Sequence, residues 1–215
     1  MPGAGVRSPD MTQSITSPAG YKDPFDYPRY LIRKKVLKIL GGAFYVYDES
    51  MNLVMYSKQK AFKLKEDIRL YSDESLKVEL LTITARSMID FSAAYDVIDP
   101  LAKQKVGALR RKGWSSLARD SWMLLDAHDR QIGTIQEDSM LAALIRRFID
   151  AASLFMPQKF HVDMNGQTVC TYQQNLNPFV RKLTVDFTHD THNQLDKRLG
   201  LGAAILLSAI EGKQG

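Results

Sequence analysis

The segment that decides the fold lies near the C-terminal end and has the sequence Leu199-Gly200-Leu201-Gly202-Ala203-Ala204-Ile205-Leu206-Leu207-Ser208-Ala209-Ile210. Its only polar residue apart from the glycines is Ser208, so a helix over about Leu195 to Glu211 would be apolar on every side. A membrane span needs about 20 such residues, whereas this run has 12. We therefore predict a core helix that the rest of the protein encloses.

The chain before this helix repeats one pattern, in which an apolar strand runs into an aspartate, turns and returns as a second strand. The four aspartates are Asp48, Asp99, Asp126 and Asp163. An aspartate favours a turn because its carboxylate accepts hydrogen bonds from backbone N–H groups two residues on. Asn165-Gly166 is a strong hairpin signal, and Gly107 and Gly133 inside return strands indicate bulges. Successive hairpins around an enclosed helix predict a closed antiparallel barrel.

Two further segments complete the organisation. Five of the eight prolines fall within residues 1–28, which predicts a flexible tail followed by one domain over residues 29–215. Ser139 to Met156 shows apolar residues at three- and four-residue steps, with Asp138 or Ser139 as a cap and Pro157 at its end. We predict an amphipathic helix there, packed outside the barrel.

The order of these elements resembles that of LURP-one-related and phospholipid scramblase-like proteins. The resemblance runs from about Arg29 to Glu211 and is carried by Tyr95–Asp99, Lys105–Trp114, Arg119–Asp126 and Leu199–Glu211. It implies the tubby C-terminal-like fold, a closed antiparallel β-barrel of about twelve strands around a buried hydrophobic C-terminal helix. It implies less about function, because proteins of one fold differ widely in what they do.

The segment before the last helix departs from the scramblase pattern, in which an acidic calcium-binding stretch occupies this place. A twelve-residue calcium loop starting at Asp186 would have Thr191 where glycine makes the turn and Lys197 where a bidentate glutamate belongs. Calcium-driven scrambling is therefore not expected. His189 and His192, with Asp186 and Asp190, could approach a transition metal. No cysteine pair accompanies them, so we assign no metal or cofactor, and metal binding by this segment stays open.

A basic stretch between residues 103 and 119 is the strongest candidate binding site. Its residues are Lys103, Lys105, Arg110, Arg111, Lys112 and Arg119, with Trp114 among them and no acidic residue. On a regular strand Lys103, Lys105 and Arg111 share one side. Cationic groups beside a tryptophan suit a membrane surface with anionic headgroups, and tubby-like proteins bind phosphoinositides through basic residues. The alternative interpretation is a solvated basic face.

A second basic group, on an early strand, comprises Arg29, Arg33, Lys34, Lys35 and Lys38. Because charges along a strand hinder pairing with other chains, we interpret this group as protection of a sheet edge.

The sequence carries no recognised catalytic motif, whether nucleophile elbow, phosphate loop or dinucleotide fingerprint. Cys170 is the single cysteine, which favours a reducing compartment, and we expect it to be a small buried residue. The net charge of +5 is compatible with anionic partners. We expect a soluble, cytoplasmic, non-enzymatic module, peripheral to a membrane, that binds anionic phospholipid headgroups. The alternatives are a protein-interaction scaffold and a scramblase-related membrane protein without the calcium loop; no motif supports specific nucleic-acid binding, and no protein partner is indicated.

Overall fold

The computed structural model describes residues 22–37, 41–59, 67–86, 94–111, 121–138, 158–175 and 181–211. These ranges form twelve strands and one helix, α1, at Lys197–Glu211. The strands are β1 Arg29–Leu37, β2 Gly41–Tyr47, β3 Leu53–Gln59, β4 Ile68–Tyr71, β5 Glu79–Ala85, β6 Ala94–Asp99, β7 Gln104–Arg111, β8 Trp122–Leu125, β9 Gln131–Glu137, β10 Lys159–Met164, β11 Gln167–Gln174 and β12 Arg181–Asp186.

The strands form one closed barrel in which each strand is antiparallel to the next along the chain. The barrel closes between β1 and β12, with Ile32 opposite Leu183 and Tyr30 opposite Val185. These four side chains are buried, as the alternation of inward and outward residues along a strand requires. The predicted closed antiparallel barrel of about twelve strands with a C-terminal helix is confirmed.

Closure corrects the interpretation of the early basic group, Arg29, Arg33, Lys34, Lys35 and Lys38. Strand β1 is hydrogen-bonded to β12 on one side and to β2 on the other, so there is no edge for these residues to protect. Their described side chains have other contacts. Arg29 pairs with Asp186 at 2.9 Å, and the guanidinium of Arg33 lies 5.8 Å from the ring centre of Tyr47. Lys38 lies outside the described residues.

Three of the four predicted aspartates close hairpins through backbone hydrogen bonds, whereas Oδ1 of Asp163 accepts from the hydroxyl of Thr168 at 2.7 Å. Oδ1 of Asp48 accepts hydrogen bonds from the N–H groups of Ser50 and Asn52 at 2.9 and 2.8 Å. Asp126 accepts in the same way from the N–H groups two and four residues on, both at 2.9 Å. Asp99 accepts from the N–H groups of Leu101 and Ala102, at 3.0 and 2.9 Å. The Asn165-Gly166 turn has φ of 50° and 77°, the left-handed pair that this dipeptide favours.

The two strand glycines lie next to bulges, which confirms that prediction. The β6–β7 register shifts so that Val106 has no partner just before Gly107. The β8–β9 register shifts in the same way at Ile132, just before Gly133. A bulge reverses the inward and outward alternation on one side of itself, and this changes which face the basic residues of β7 occupy.

We expect the Gly107→Ala substitution to lower the free energy of unfolding by about 1–3 kcal/mol, the usual cost of overpacking. An added Cβ would lie 2.5 Å from the carbonyl oxygen of Leu125 and 3.0 Å from a methyl carbon of Leu199. Urea unfolding measures the loss. Gly42→Ala is the control, since its Cβ would approach only the oxygen of Lys35, at 3.2 Å. An equal loss at Gly42 would contradict the packing argument.

Helix α1 runs through the barrel and is buried on all sides. Side chains from Leu199 to Leu207 are at most 4% exposed. The helix contacts the neighbouring strands β5, β6 and β7 on one side of the barrel and β12 on the opposite side. Gly200 lets the wall come close, because a Cβ there would lie 2.6 Å from the ring of Phe187. The hydroxyl of fully buried Tyr172 donates to the carbonyl oxygen of Gly200 at 2.8 Å. The prediction of an enclosed core helix is confirmed.

Both ends of α1 have polar partners. Oδ1 of Asp196 accepts from the N–H of Arg198 at 2.9 Å and caps the first turn. At the other end Nζ of Lys34 donates to the carbonyl oxygen of Ser208 at 2.8 Å. A cation suits this position, because helix C-terminal carbonyls carry a partial negative charge.

Packing against the barrel begins before Arg29, the predicted start of the domain. The carbonyl oxygen of Pro24 accepts from the hydroxyl of Tyr30 at 3.0 Å, and that hydroxyl oxygen accepts from the N–H of Tyr27 at 3.1 Å. Phe25 and Tyr27 pack against the core. Residues 22–28 are therefore part of the packed domain, since aromatic contacts hold them although their composition is that of a tail. Residues 1–21 and the predicted helix at residues 139–156 lie outside the described residues.

Candidate functional site

The up-and-down order of the strands gives the barrel two different ends. One, the turn end, holds the tight connections 48–52, 72–78, 100–103, 126–130 and 165–166, together with residues 22–28 and 187–196. At the other, the loop end, the strands are joined by 38–40, 60–66, 87–93, 112–120, 139–157 and 176–180, which lie outside the described residues. Helix α1 runs from the turn end to the loop end. Near its start Arg198 contacts Asp99, beside the β6–β7 hairpin at the turn end, and near its end Ser208 contacts Lys34 at the loop end.

Charge is divided between these two ends. The turn-end segments contain ten Asp and Glu residues and four Lys and Arg residues. The segments that lie outside the described residues between the strands, and residues 212–215, contain nine Lys and Arg residues in the sequence, Lys38, Lys60, Lys63, Lys65, Lys112, Arg119, Arg146, Arg147 and Lys213, against four acidic residues. Among the described residues, the turn end therefore carries an excess of acidic side chains.

Strand β7 carries most of the predicted site but spreads it along its length. Lys103 lies in the turn-end hairpin with φ of 52°, whereas Arg110 and Arg111 lie at the loop end. Eight residues of strand separate Lys103 from Arg111, about 26 Å at 3.3 Å per residue. The structure thus does not bring Lys103 together with the two arginines. Lys112, Trp114 and Arg119 lie outside the described residues, in the connection that follows Arg111.

Lys105 belongs to an ion cluster on the outer wall. Its Nζ lies 2.6 Å from Oδ1 of Asp129 and 3.2 Å from Oδ1 of Asp96. Arg86 pairs with the same two carboxylates, at 2.7 Å from Asp96. Hydrogen bonds from Arg86, and then from Lys105, hold the pKa of Asp129 at about 2. Two cations and two carboxylates compensate one another, so Lys105 offers an anion little net charge.

The bulge at Val106 places the basic residues of β7 differently from a regular strand. Gly107 faces Leu199 of the central helix and Leu109 is 1% exposed, so Arg111, two residues on, lies on the inward side of the strand. Arg110 lies on the outward side, as does Lys105. The expectation that Lys105 and Arg111 share one side is therefore wrong, because the extra residue at 106 shifts the alternation.

Arg111 lies at the loop-end mouth of the barrel, near aromatic side chains. Its cross-strand partner is Trp122, whose ring is 6.1 Å from that of Tyr95. Burial raises the pKa of Tyr95, and the charge of Arg111 opposes that shift. Trp122 is 3% exposed and Tyr95 packs against the core, so these rings hold the end of β7 in place and do not form an exposed aromatic surface.

The closing seam between β1 and β12 adds cations to this end that the sequence did not reveal. The register places Arg33 opposite Lys182 and Lys34 opposite Arg181. Like charges directly opposite each other on antiparallel strands, as Arg33 and Lys182 are, destabilise the pair. No local pattern indicates the pairing, because the two strands are the first and the last of the barrel.

The described strand ends at the loop end are predominantly basic. Their charged side chains are Lys34, Lys35, Lys58, Arg110, Arg111, Lys159 and Lys182, against Asp67, Glu137 and Asp138. Asp138 has a partner in His161, at 3.4 Å. The loop end is therefore a ring with an excess of cations around the C-terminal end of α1.

Other candidate chemistry finds no support in the geometry. Within the described residues no group of three or more His, Cys, Asp and Glu side chains is placed to hold a metal ion. Asp190 instead accepts from the N–H groups of Gln194 and Leu195, both at 2.8 Å. Cys170 is fully buried in β11, as expected, and burial raises the pKa of its thiol. Among the described helical residues none forms a helix long and apolar enough to cross a membrane.

Comparison with known proteins gives a likeness of fold. No protein-family model matches the chain, and no curated protein matches it. Among solved structures the chain is similar to one described as a protein from Arabidopsis thaliana, AT5G01750, with 13% sequence identity and a TM-score of 0.49. The match covers 88% of this chain and 96% of that one. The barrel and its central helix are established by the strand pairing alone.

Proposed function

We propose that this protein is a non-enzymatic module that binds anionic phospholipid headgroups at a cytoplasmic membrane surface through its loop end. The observation that carries the proposal is the distribution of charge among the described residues, with acidic segments at the turn end and basic strand ends at the loop end. A surface of one sign collects counter-ions, and each basic residue near an anionic membrane contributes about 1 kcal/mol. Membership of the LURP-one-related and scramblase-like group is part of the proposal.

The site is centred on the end of β7 and the connection that follows it. Arg110 and Arg111 end the described strand, and Lys112, Trp114 and Arg119 follow them in the sequence, outside the described residues. Lys34 and Lys182, at the closing seam, extend the basic ring. Lys103 and Lys105 contribute only to the overall electrostatic field of the protein. Lys103 lies at the turn end, and the charge of Lys105 is neutralised by its ion cluster.

The test compares two variants that lose the same charge at opposite ends. Replacing Arg110, Arg111 and Lys112 by glutamine is expected to weaken binding to vesicles of phosphatidylcholine and phosphatidylserine about a hundredfold, at about 1 kcal/mol for each charge. Replacing Lys22, Lys77 and Lys103 by glutamine removes three charges from the turn end and is expected to change affinity less than about threefold. Vesicle co-sedimentation, with pure phosphatidylcholine as the neutral control, measures both.

Four outcomes would contradict the proposal. Equal losses in the two variants would indicate diffuse charge without a defined site, and an unchanged affinity in the first would exclude the loop end. Equal binding to neutral vesicles would exclude headgroup charge as the cause. Persistence of binding in high salt would also argue against a surface electrostatic site.

A further inference from the structure

The turn end has an apolar character that the charge count alone does not show. Among the described residues, the exposed large hydrophobic side chains are Met51, Leu76, Val78 and Leu101, with exposures of 52, 37, 44 and 66%. All four lie in turn-end connections, on the hairpins β2–β3, β4–β5 and β6–β7, which follow one another around the barrel. Leu101 is the most exposed of the four, and the cleft beside it decides whether this end can hold a partner.

A cleft opens beside the most exposed of these residues. Its volume is about 640 Å³, and Leu101 forms part of its wall together with Phe25, Leu80 and Leu195. Phe25 comes from the segment that precedes β1, and Leu195 from the segment that precedes α1. The cleft therefore has a mixed lining, in which these apolar side chains from separate parts of the chain lie among charged residues.

The rim of the cleft is acidic. Asp23, Asp26, Asp99 and Asp196 lie on it, against two cations, Lys197 and Arg198. Arg198 is held by Asp99 at 2.8 Å and by Asp196 at 2.6 Å. Asp23 and Asp26 form no ion pair with any described residue; Nζ of nearby Lys22 lies 3.8 Å from the ring centre of Tyr27. Among the described residues, these two carboxylates have no cationic partner, although Oδ1 of Asp23 accepts from the N–H of Phe25 at 2.8 Å.

We propose that the turn end is a docking surface for a basic amphipathic segment of a partner protein. Apolar side chains of that segment occupy the cleft beside Leu101, and its lysine or arginine side chains pair with Asp23 and Asp26. Charge complementarity selects this partner over an anionic one, because the whole turn end is acidic. When the loop end faces an anionic membrane, the turn end faces away from it. The inference depends on the cleft and its rim, and it does not require the membrane function.

The probe is a fluorescent helical peptide of leucine and lysine, and its counterpart with every lysine replaced by glutamate is the control. Saturable binding of the lysine peptide, and none of the glutamate peptide, is expected in fluorescence anisotropy. Leu101→Ser is expected to weaken binding about tenfold, because a leucine contact in a pocket is lost. Asp23→Asn with Asp26→Asn is expected to weaken it by about the same factor.

Matched controls separate this surface from general charge and from the membrane site. Glu137→Gln with Asp138→Asn removes two carboxylates from the loop end and is expected to leave peptide affinity unchanged. The cleft variants are expected to bind anionic vesicles like the native chain, so failure of either proposal is distinguishable from failure of the other. If the aspartate pair affects folding, Leu101→Ser still tests the surface, since its side chain is largely exposed. The proposal is overturned by absent saturable binding, by equal binding of the glutamate peptide, or by unaltered binding in Leu101→Ser.

Discussion

Replacement of Leu206 by aspartate is expected to lower the free energy of unfolding by about 5 kcal/mol or more, enough to unfold most domains of this size. Leu206 is 1% exposed and lies in the helix that fills the barrel. A carboxylate there has no cation within the apolar interior and must be buried unpaired or protonated. The barrel cannot repack around the change, because the same helix contacts several parts of its wall.

Two companion variants make this result interpretable. Leu206→Ala leaves a cavity without a charge and is expected to cost about 2–5 kcal/mol. Leu101→Asp makes the same chemical change at a side chain that is 66% exposed, and its cost is expected to stay within about 0.5 kcal/mol. Urea unfolding followed by tryptophan fluorescence measures all three. Native-like stability of Leu206→Asp would show that α1 is not enclosed.

Removal of residues 1–28 is expected to lower the free energy of unfolding by about 2–4 kcal/mol. Removal of residues 1–21 is expected to change it little, because residues 22–28 and their contacts stay in place. The larger deletion takes away the packing of Phe25 and Tyr27 and the carbonyl that accepts from the hydroxyl of Tyr30. An aromatic pair contributes about 0.5–1.5 kcal/mol and a part-buried hydroxyl without a partner costs about 1–3 kcal/mol.

Melting temperatures of the two shortened chains distinguish this from the tail predicted by composition. A chain that begins at Arg29 is expected to melt well below one that begins at Lys22. Equal melting temperatures would mean that residues 22–28 contribute nothing to the core. A Tyr30→Phe variant of the full chain tests the hydroxyl separately, since it removes the donor without changing the packing of the ring.

Local patterns were sufficient wherever a feature depends on neighbouring residues. The hairpin turns follow from aspartates that bond to their own following N–H groups, and from Asn165-Gly166, which adopts positive φ at low cost. The bulges at residues 106 and 132 follow from the glycines beside them. Composition misled at residues 22–28, because prolines are also compatible with an ordered segment when aromatic side chains anchor it.

The candidate site was predicted less completely, for reasons that lie in the geometry. Arg110 and Arg111 are placed at one end of the barrel, as a binding site requires. Lys105 is neutralised by Asp96 and Asp129, and the second of these comes from a different hairpin. No periodic pattern in the sequence predicts the contact between Lys105 and Asp129, because this contact depends on how β7 lies beside the β8–β9 turn.

The sequence by itself determined that this protein encloses its last helix, since twelve consecutive residues with apolar side chains on every face must be removed from water. It also determined the succession of hairpins, because each turn is specified by residues adjacent in the chain. Only the tertiary structure decided where charge collects. Up-and-down pairing sends alternate connections to opposite ends, and closure of β1 on β12 sets Arg33 beside Lys182. These residues are far apart in the sequence, and packing around the central helix fixes their proximity. A local sequence pattern therefore cannot predict it.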